Sequence, residues 1–457
     1  MKILQVLHSF MPYTSAGTEV YTYNLSKELS KRNHVYIFFR IKQLKKEEYA
    51  LSHDVYKGLE TYAVNHTFKR CSSFEETYAD KKIDYLFGDL LDRIKPDLVH
   101  IQHLLFLSLG MVNEIKKRGI PIVFTLNDYW LFCPRGQLIK GDLTICDGSL
   151  TGCKECIRAQ LSIKKYSLRW YYRARNVLPN FLLQLLKNCY IFSISALPVR
   201  SDWQQDEIQK RLHFIKRVVS AVDIFITPSR FVKKIYLGWG LPEDKILSCS
   251  YGIRYEQPST DSSITEADVV RFGFIGTLLP MKGVDILIRA FKRIRSNNAR
   301  LLIYGASRPY TGYENYCRQL AQMAAGDERI RLMGEFDNVD IGQKMMNIDV
   351  LVVPSIWLEN SPLVIQEAFL YKKPIIASRI GGIPEFVSEG VNGLLFTAGD
   401  TCELQKKLEY VIKNPDILEF FKTNIPKVKS IEEHVQEIET IYVRLCAAKN
   451  YETVSIN

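Results

Sequence analysis

The chain has 457 residues, 47% hydrophobic and 24% charged, proportions of a folded protein that exclude disorder as its main state. At roughly 100–200 residues per domain it holds two domains or three, and no apolar run reaches the about 18 residues of a membrane-spanning helix. The net charge is +11; the stretch 154–217 alone has thirteen Lys/Arg against four Asp/Glu, with Trp and Tyr among them. Nucleic acid or an anionic membrane surface would suit such a patch, and a solvated basic face is the plain alternative.

Residues 2–8 (KILQVLH) read as a buried strand, followed by a loop with Pro12, Ser15 and Gly17. A helix follows over about 19–31, with Thr18 as its N-cap. The opening stretch reaches Glu19 quickly and has no small-residue cleavage site, so it reads as a first strand and gives an exported location no support. Residues 34–39 (HVYIFF) form the next strand. Pro96-Asp97 precedes the strand LVHIQ, which ends at His103, and Pro121 opens IVFTL, which ends at Asn127-Asp128. Residues 223–228 (DIFITP) add one more, and Ser229 starts a helix. This succession predicts an α/β domain with a parallel sheet.

The polar stretch 253–270 reads as a linker between a first domain, 1–252, and a second, 271–429. In the second, 271–277 is a strand, 284–294 a helix, and 300–305, 349–354 and 374–378 are strands. Each half opens with a strand, a Gly-containing loop and a helix. Two doubly wound Rossmann-like domains facing across a cleft are therefore expected, with ligands outside the carboxyl ends of the strands. The tail, 430–457, has helical periodicity over 430–446 and is expected to pack on a domain surface.

The strongest chemical signal is 357–371 (WLENSPLVIQEAFLY). Ser361 suits an N-cap and Pro362 the first helical position, so a helix is expected from 362 with its free N–H groups facing the cleft, where they would receive a phosphate. Glu359 precedes this helix and Glu367 lies within it; both can accept hydrogen bonds from sugar hydroxyls. A surface helix with two solvated glutamates is the alternative for the pair alone. In Gly276-Thr277-Leu278-Leu279-Pro280-Met281-Lys282-Gly283, between a strand and a helix, Gly276 admits a ligand close to the backbone and Lys282 supplies a point charge for a diphosphate. Gly305 ends a strand at the same edge and leaves room for a nucleotide; Gly381-Gly382 opens another permissive loop there.

Together these segments resemble the retaining glycosyltransferases of family 4, which have the GT-B fold. The matching pieces are Ala16-Gly17-Thr18-Glu19, the Gly276–Gly283 loop, Glu359 through Glu367, and Gly381-Gly382. The resemblance runs from residue 2 to about 445. It implies a nucleotide diphosphate sugar as donor, with Glu367 on the ribose, Glu359 on the sugar, the Asn360 and Ser361 amides nearby, and Lys282 and the Gly17 backbone on the diphosphate. It also implies a final helix crossing back to the first domain, front-face attack with retention of configuration, and no catalytic metal. No Asp-x-Asp cage stands out. Two positions depart from the family: Thr277 stands where an Arg is common, leaving Lys282 to carry more or Arg230 or Arg254 to help. Asn127 stands where a His is common, and it cannot act as a base. His103, Asn127, Asp128 and Arg135 are the acceptor-side candidates, with His103 preferred over His100 and read against a satisfied rim histidine.

Ten cysteines are too few for a disulfide scaffold. Cys133, Cys146, Cys153 and Cys156 cluster in a loop over 131–157 beside the Asn127-Asp128 strand end. Structural zinc, free thiols and disulfides all fit this spacing, and a cytoplasmic setting argues against disulfides. After it, 163–188 sets basic and aromatic residues before an apolar run, which suits a peripheral contact with the inner face of a membrane or a core helix. The function expected is sugar transfer to a saccharide or lipid-linked acceptor in cell-envelope polysaccharide synthesis. The alternatives are a catalytically inactive nucleotide-sugar binder and a nucleic-acid binder using 154–217; no nucleic-acid-binding motif supports the last.

Overall fold

The computed structural model describes residues 1–68, 70, 71, 73–148, 153–157, 182, 201–255, 257, 269–308, 310 and 313–454. The basic–aromatic stretch 163–188, apart from residue 182, and most of the linker lie outside the described residues. Fourteen strands form two sheets among those described. The first contains β1 (Lys2–Leu7), β2 (His34–Ile41), β3 (Leu51–Tyr56), β4 (Leu59–Asn65), β5 (Leu98–Ile101), β6 (Ile122–Thr125), β7 (Ile224–Thr227) and β8 (Ile246–Ser248). The second contains β9 (Val270–Ile275), β10 (Ala299–Tyr304), β11 (Ile330–Gly334), β12 (Val350–Val353), β13 (Ile375–Ser378) and β14 (Gly393–Phe396).

Strand order in the first sheet is β3-β4-β2-β1-β5-β6-β7-β8, parallel throughout except for the antiparallel β3–β4 hairpin. The second runs β11-β10-β9-β12-β13-β14, all parallel. Each sheet separates two apolar clusters. Leu4, Val6, Val99 and Phe124 face one way in the first sheet, and Ile3, Leu7, Leu98 and Val123 the other. In the second, Phe272, Leu301 and Val352 oppose Ile275, Leu351 and Ile375. Burial on both faces explains the uninterrupted apolar runs of β5, β6, β12 and β13. Both sheets are thus doubly wound, with the chain reversing direction between β1 and β5 and between β9 and β12. Those reversals open crevices at the strand carboxyl ends.

Local details differ from the sequence reading. The first helix spans Gly17–Leu29 with Ala16 as N-cap, so Thr18 lies inside it; the Thr18 carbonyl accepts the Thr22 hydroxyl at 2.7 Å. The helix expected from 362 spans Leu363–Leu370, with Pro362 as N-cap. Ser361 makes no capping bond there; its hydroxyl oxygen accepts the Gln366 amide at 3.2 Å. Ser229 does cap its helix, accepting Val232 N–H at 3.3 Å. Val270, assigned to the linker from its polar neighbours, opens β9. The last helix, Ile431–Val454, lies against Gly17–Leu29: Arg32 reaches Glu439 at 2.7 Å, and Val435, Ile438 and Tyr442 are buried with Leu7 and Leu25. No helix among the described residues is long and apolar enough to cross a membrane.

Candidate active site

The loops after β9 and β12 meet at the second sheet's reversal. Gly283 has φ +69° and packs on the Pro354 carbonyl so closely that a Cβ would overlap it. This contact seats the turn Pro280–Lys282 beside the loop that carries Glu359. Lys282 Nζ donates to Glu359 Oε1 at 2.7 Å, and Ser355 Oγ donates to the same oxygen at 2.6 Å. Glu359 is buried, with its side chain 5% exposed; the Lys282 side chain is 28% exposed and its ammonium lies 5.2 Å from the Trp357 ring centre.

Glycines shape the rest of the crevice. A side chain at Gly305 would collide with the Gly276 carbonyl, and side chains at Gly381 and Gly382 would collide with the Glu359 and Asn360 backbones. Gly382 N–H donates to the Glu359 carbonyl at 2.6 Å. The Glu359–Ser361 turn is therefore clamped from below. Thr277 is half-buried in the same loop, its carbonyl accepting Leu279 N–H at 2.9 Å. Glu367, in the second turn of the helix that follows Glu359, is half-buried and makes no hydrogen bond or ion pair among the described residues; burial pushes its carboxyl up to about 7.

The first sheet's carboxyl edge closes over this loop. The start of the Gly17 helix approaches Leu363, the first residue of the Glu367 helix. Tyr129 OH donates to the Leu358 carbonyl at 3.0 Å, and the Asn360 amide donates to the Asn127 carbonyl. Arg135 donates to Tyr310 OH at 2.6 Å, and that hydroxyl donates to Gln137 at 3.0 Å. Glu385 accepts the Arg230 and Phe231 amides, at 3.0 and 2.6 Å, at the start of a first-domain helix. Lys282, Glu359, Asn360, Ser361 and Gly17 are thus gathered at one interdomain crevice.

The acceptor-side candidates divide. His103 Nδ1 accepts Leu105 N–H at 2.9 Å, so its proton sits on Nε2 and is donated to Asp128 Oδ2 at 2.8 Å. Asp128 also accepts Trp130 N–H at 2.8 Å through its other oxygen. His100 is fully buried between Tyr442 OH and Thr125 Oγ1, at 2.5 and 2.7 Å, and burial lowers its pKa to about 3; it is a core residue. Asn127 turns inward: its amide donates to the Gln102 carbonyl at 2.8 Å and its oxygen accepts Tyr251 OH. Both of its side-chain functions therefore have partners within the first domain. Arg135 reaches the opposite domain through Tyr310, with its guanidinium 5.6 Å from that ring's centre. Arg254 faces Glu28 at 3.9 Å, whereas Arg230 is exposed and lies 3.5 Å from Glu385 of the second domain.

Sequence reasoning missed Ser355 and Trp357, in the same loop as Glu359, and the contacts of Tyr129, Tyr310 and Glu385, which arise from the meeting of distant loops. It also missed His8, at the end of β1, whose Nε2 lies 3.5 Å from Glu19. The buried Glu19 Oε2 and His8 Nδ1 have no partner. Desolvation raises the Glu19 carboxyl and lowers His8.

None of the four loop cysteines is paired in a disulfide. Cys133, Cys146 and Cys156 pack against the cluster that buries Cys153, and Gly148 N–H donates to Cys146 Sγ at 3.4 Å. Burial, followed by the three neighbouring sulfurs, pushes the Cys153 thiol up to about 12. Among the described residues, the group whose ligand atoms all lie within 4.8 Å of one another is a different one: Cys249, His434 and Glu437.

Two doubly wound sheets facing across such a crevice have the GT-B architecture. The solved structure of HepE from Anabaena with UDP and glucose superposes with TM-score 0.65 over 96% of this chain and 99% of that one, at 16% identity. The model for glycosyl transferases group 1 matches residues 261–428, and that for glycosyltransferase family 4 matches 15–179. The chain belongs to the group 1/family 4 glycosyltransferases, enzymes of class EC 2.4. An uncharacterised glycosyltransferase of Methanocaldococcus jannaschii is 29% identical over 52% of this chain and 64% of its own length. An uncharacterised protein in the cps region of Klebsiella pneumoniae is 22% identical over 84% of this chain and 87% of its own. The chain thus spans a little under two thirds of the first relative and most of the second.

Proposed function

We propose that the protein transfers a sugar from a nucleotide diphosphate sugar to a hydroxyl of a saccharide or lipid-linked acceptor in cell-envelope polysaccharide synthesis, with retention of configuration. The observation that carries this reading is the Lys282–Glu359 pair, 2.7 Å apart where the two domains close. Lys282 neutralises the diphosphate as it leaves, aided by the Gly17 amide and by the Asn360 and Ser361 amides. Glu359 holds the transferred sugar and Glu367 the ribose, while Gly276, Thr277 and Gly305 admit the nucleotide to the strand ends. His103 and Asp128, joined at 2.8 Å, orient the acceptor. The HepE structures with UDP and with UDP-glucose support the donor class, and the relative from a cps region supports the pathway.

We assign the work to the cytoplasmic face of the membrane, with the basic stretch as its contact. Zinc on Cys133, Cys146, Cys153 and Cys156 is part of the same proposal. It is supported by the shared neighbourhood of the four sulfurs and by the amide bond to Cys146. Incubating the protein with a panel of sugar nucleotides and following nucleoside diphosphate release tests the activity: slow hydrolysis of one donor, lost in Glu359→Gln, is expected. Hydrolysis of none, with every donor also failing to shift the melting temperature, overturns it.

A further inference from the structure

Outside the crevice, the two chain crossings between the domains are tied together. Ile253, where the chain leaves the first domain, pairs with Ser430, where it returns: Ile253 N–H donates to the Lys429 carbonyl at 3.0 Å and Ile431 N–H to the Ile253 carbonyl at 3.1 Å. Gly252 packs so tightly on His434 and Ser430 that a Cβ would overlap both. Cys249, just after β8, consequently faces the first turns of the last helix. His434 and Glu437, three residues apart, share one face of that helix.

Cys249 Sγ lies 3.4 Å from His434 Nδ1 and 3.1 Å from Glu437 Oε2. In a tetrahedral zinc site, with sulfur at about 2.3 Å and nitrogen or oxygen at about 2.0 Å from the ion, sulfur is separated from either by about 3.5 Å. The observed edges are already near that value. His434 Nε2 lies 2.9 Å from the buried Tyr21 hydroxyl, the outer contact that fixes the ring with Nδ1 toward the other two ligands. A cation is attracted there even now: Lys429 Nζ is 2.7 Å from Glu437 Oε2 and 3.4 Å from the Ser250 carbonyl. Cys249 and His434 are buried, while Glu437 is half exposed and gives the ion a way in.

We propose that Cys249, His434 and Glu437 form a site for a single Zn²⁺ that clamps the last helix to the first domain beside the interdomain crossings. Binding replaces the Cys249 thiol proton, which goes to solvent. Thiolate and carboxylate balance the dication, His434 binds as the neutral imidazole, and Lys429 swings outward. Water takes the fourth position on the Glu437 side.

The test uses the full chain, stripped by chelator dialysis and titrated with Co²⁺ as a spectroscopic substitute, then with Zn²⁺. The wild type is expected to bind one equivalent more than Cys249→Ala, and that equivalent to show a thiolate-to-cobalt charge-transfer band. Glu437→Gln, a half-exposed change that leaves folding intact, is expected to weaken the same equivalent at least tenfold. Lys429→Met, which removes the resident cation, is expected to tighten it several-fold, an effect that a merely structural hydrogen-bond chain does not give. Metal held by the four-cysteine loop persists in all three variants and is thereby counted separately. Equal stoichiometry in the wild type and Cys249→Ala overturns the proposal, as does unchanged affinity in Glu437→Gln.

Discussion

Replacing Lys282 by Met separates stability from chemistry. The ammonium lies 2.7 Å from a carboxylate whose side chain is only 5% exposed. At an effective dielectric near 20 the gross attraction is about 6 kcal/mol. Breaking a fully buried pair from one side costs about 3–5 kcal/mol. Lys282 is 28% exposed and Ser355 still donates to Glu359 after the change, so about 1–3 kcal/mol is expected. Glu359→Gln should cost less than about 1 kcal/mol, because the ammonium left behind can reach water. The double variant should recover most of the Lys282→Met loss, a coupling of about 1–2 kcal/mol in a double-mutant cycle by urea unfolding. Activity should behave otherwise: kcat falls about 10²–10³-fold in Lys282→Met and is not rescued in the double variant. A double variant as unstable as Lys282→Met, or a Lys282→Met protein with normal kcat, would refute the reasoning.

Other outcomes follow from particular contacts. Gly305→Ala drives a Cβ into the Gly276 carbonyl, and should destabilise by about 1–3 kcal/mol and weaken nucleotide binding at least tenfold, read by calorimetry. Tyr129→Phe leaves the Leu358 carbonyl short of a donor across the domains; a loss of about 1 kcal/mol and a raised donor KM with kcat nearly unchanged are expected. Glu367 carries a pH signature. Its carboxyl is raised by burial from an ordinary 4.5 to about 7, so between those values the folded chain keeps a proton that the unfolded chain releases. Its contribution to stability therefore falls as pH rises through that window, and Glu367→Gln should flatten the dependence in pH-resolved unfolding. A bound ribose hydroxyl favours the ionised form, so donor affinity should rise with pH through about 7 in the wild type and stay level in Glu367→Gln; a flat wild-type curve counts against the ribose role.

The crevice was legible in the sequence to the extent that local chemistry fixes it. Parallel strands buried on both faces, such as Val350–Val353 and Ile375–Ser378, announce themselves as apolar runs, and the glycines and the Glu359–Glu367 segment sit at their carboxyl ends. The β3–β4 hairpin was not read, because Leu51–Tyr56 is largely exposed and offers no apolar run. The edge strand Ile330–Gly334 likewise buries only its first residue. Capping was misjudged at Thr18 and Ser361, because the helices start behind Ala16 and Pro362 rather than where the hydroxyls suggest. Contacts made across the cleft, Glu385 on the Arg230 and Phe231 amides and Arg135 on Tyr310, join residues more than 150 positions apart and leave no trace in spacing.

The most direct measurement is a crystal structure of the protein with the nucleoside diphosphate of its donor. The diphosphate should lie within hydrogen-bond reach of Lys282 Nζ and the Gly17 amide, with both ribose hydroxyls on the Glu367 carboxylate. A nucleotide seated anywhere else, leaving Lys282 and Glu359 paired as they are now, would contradict the account.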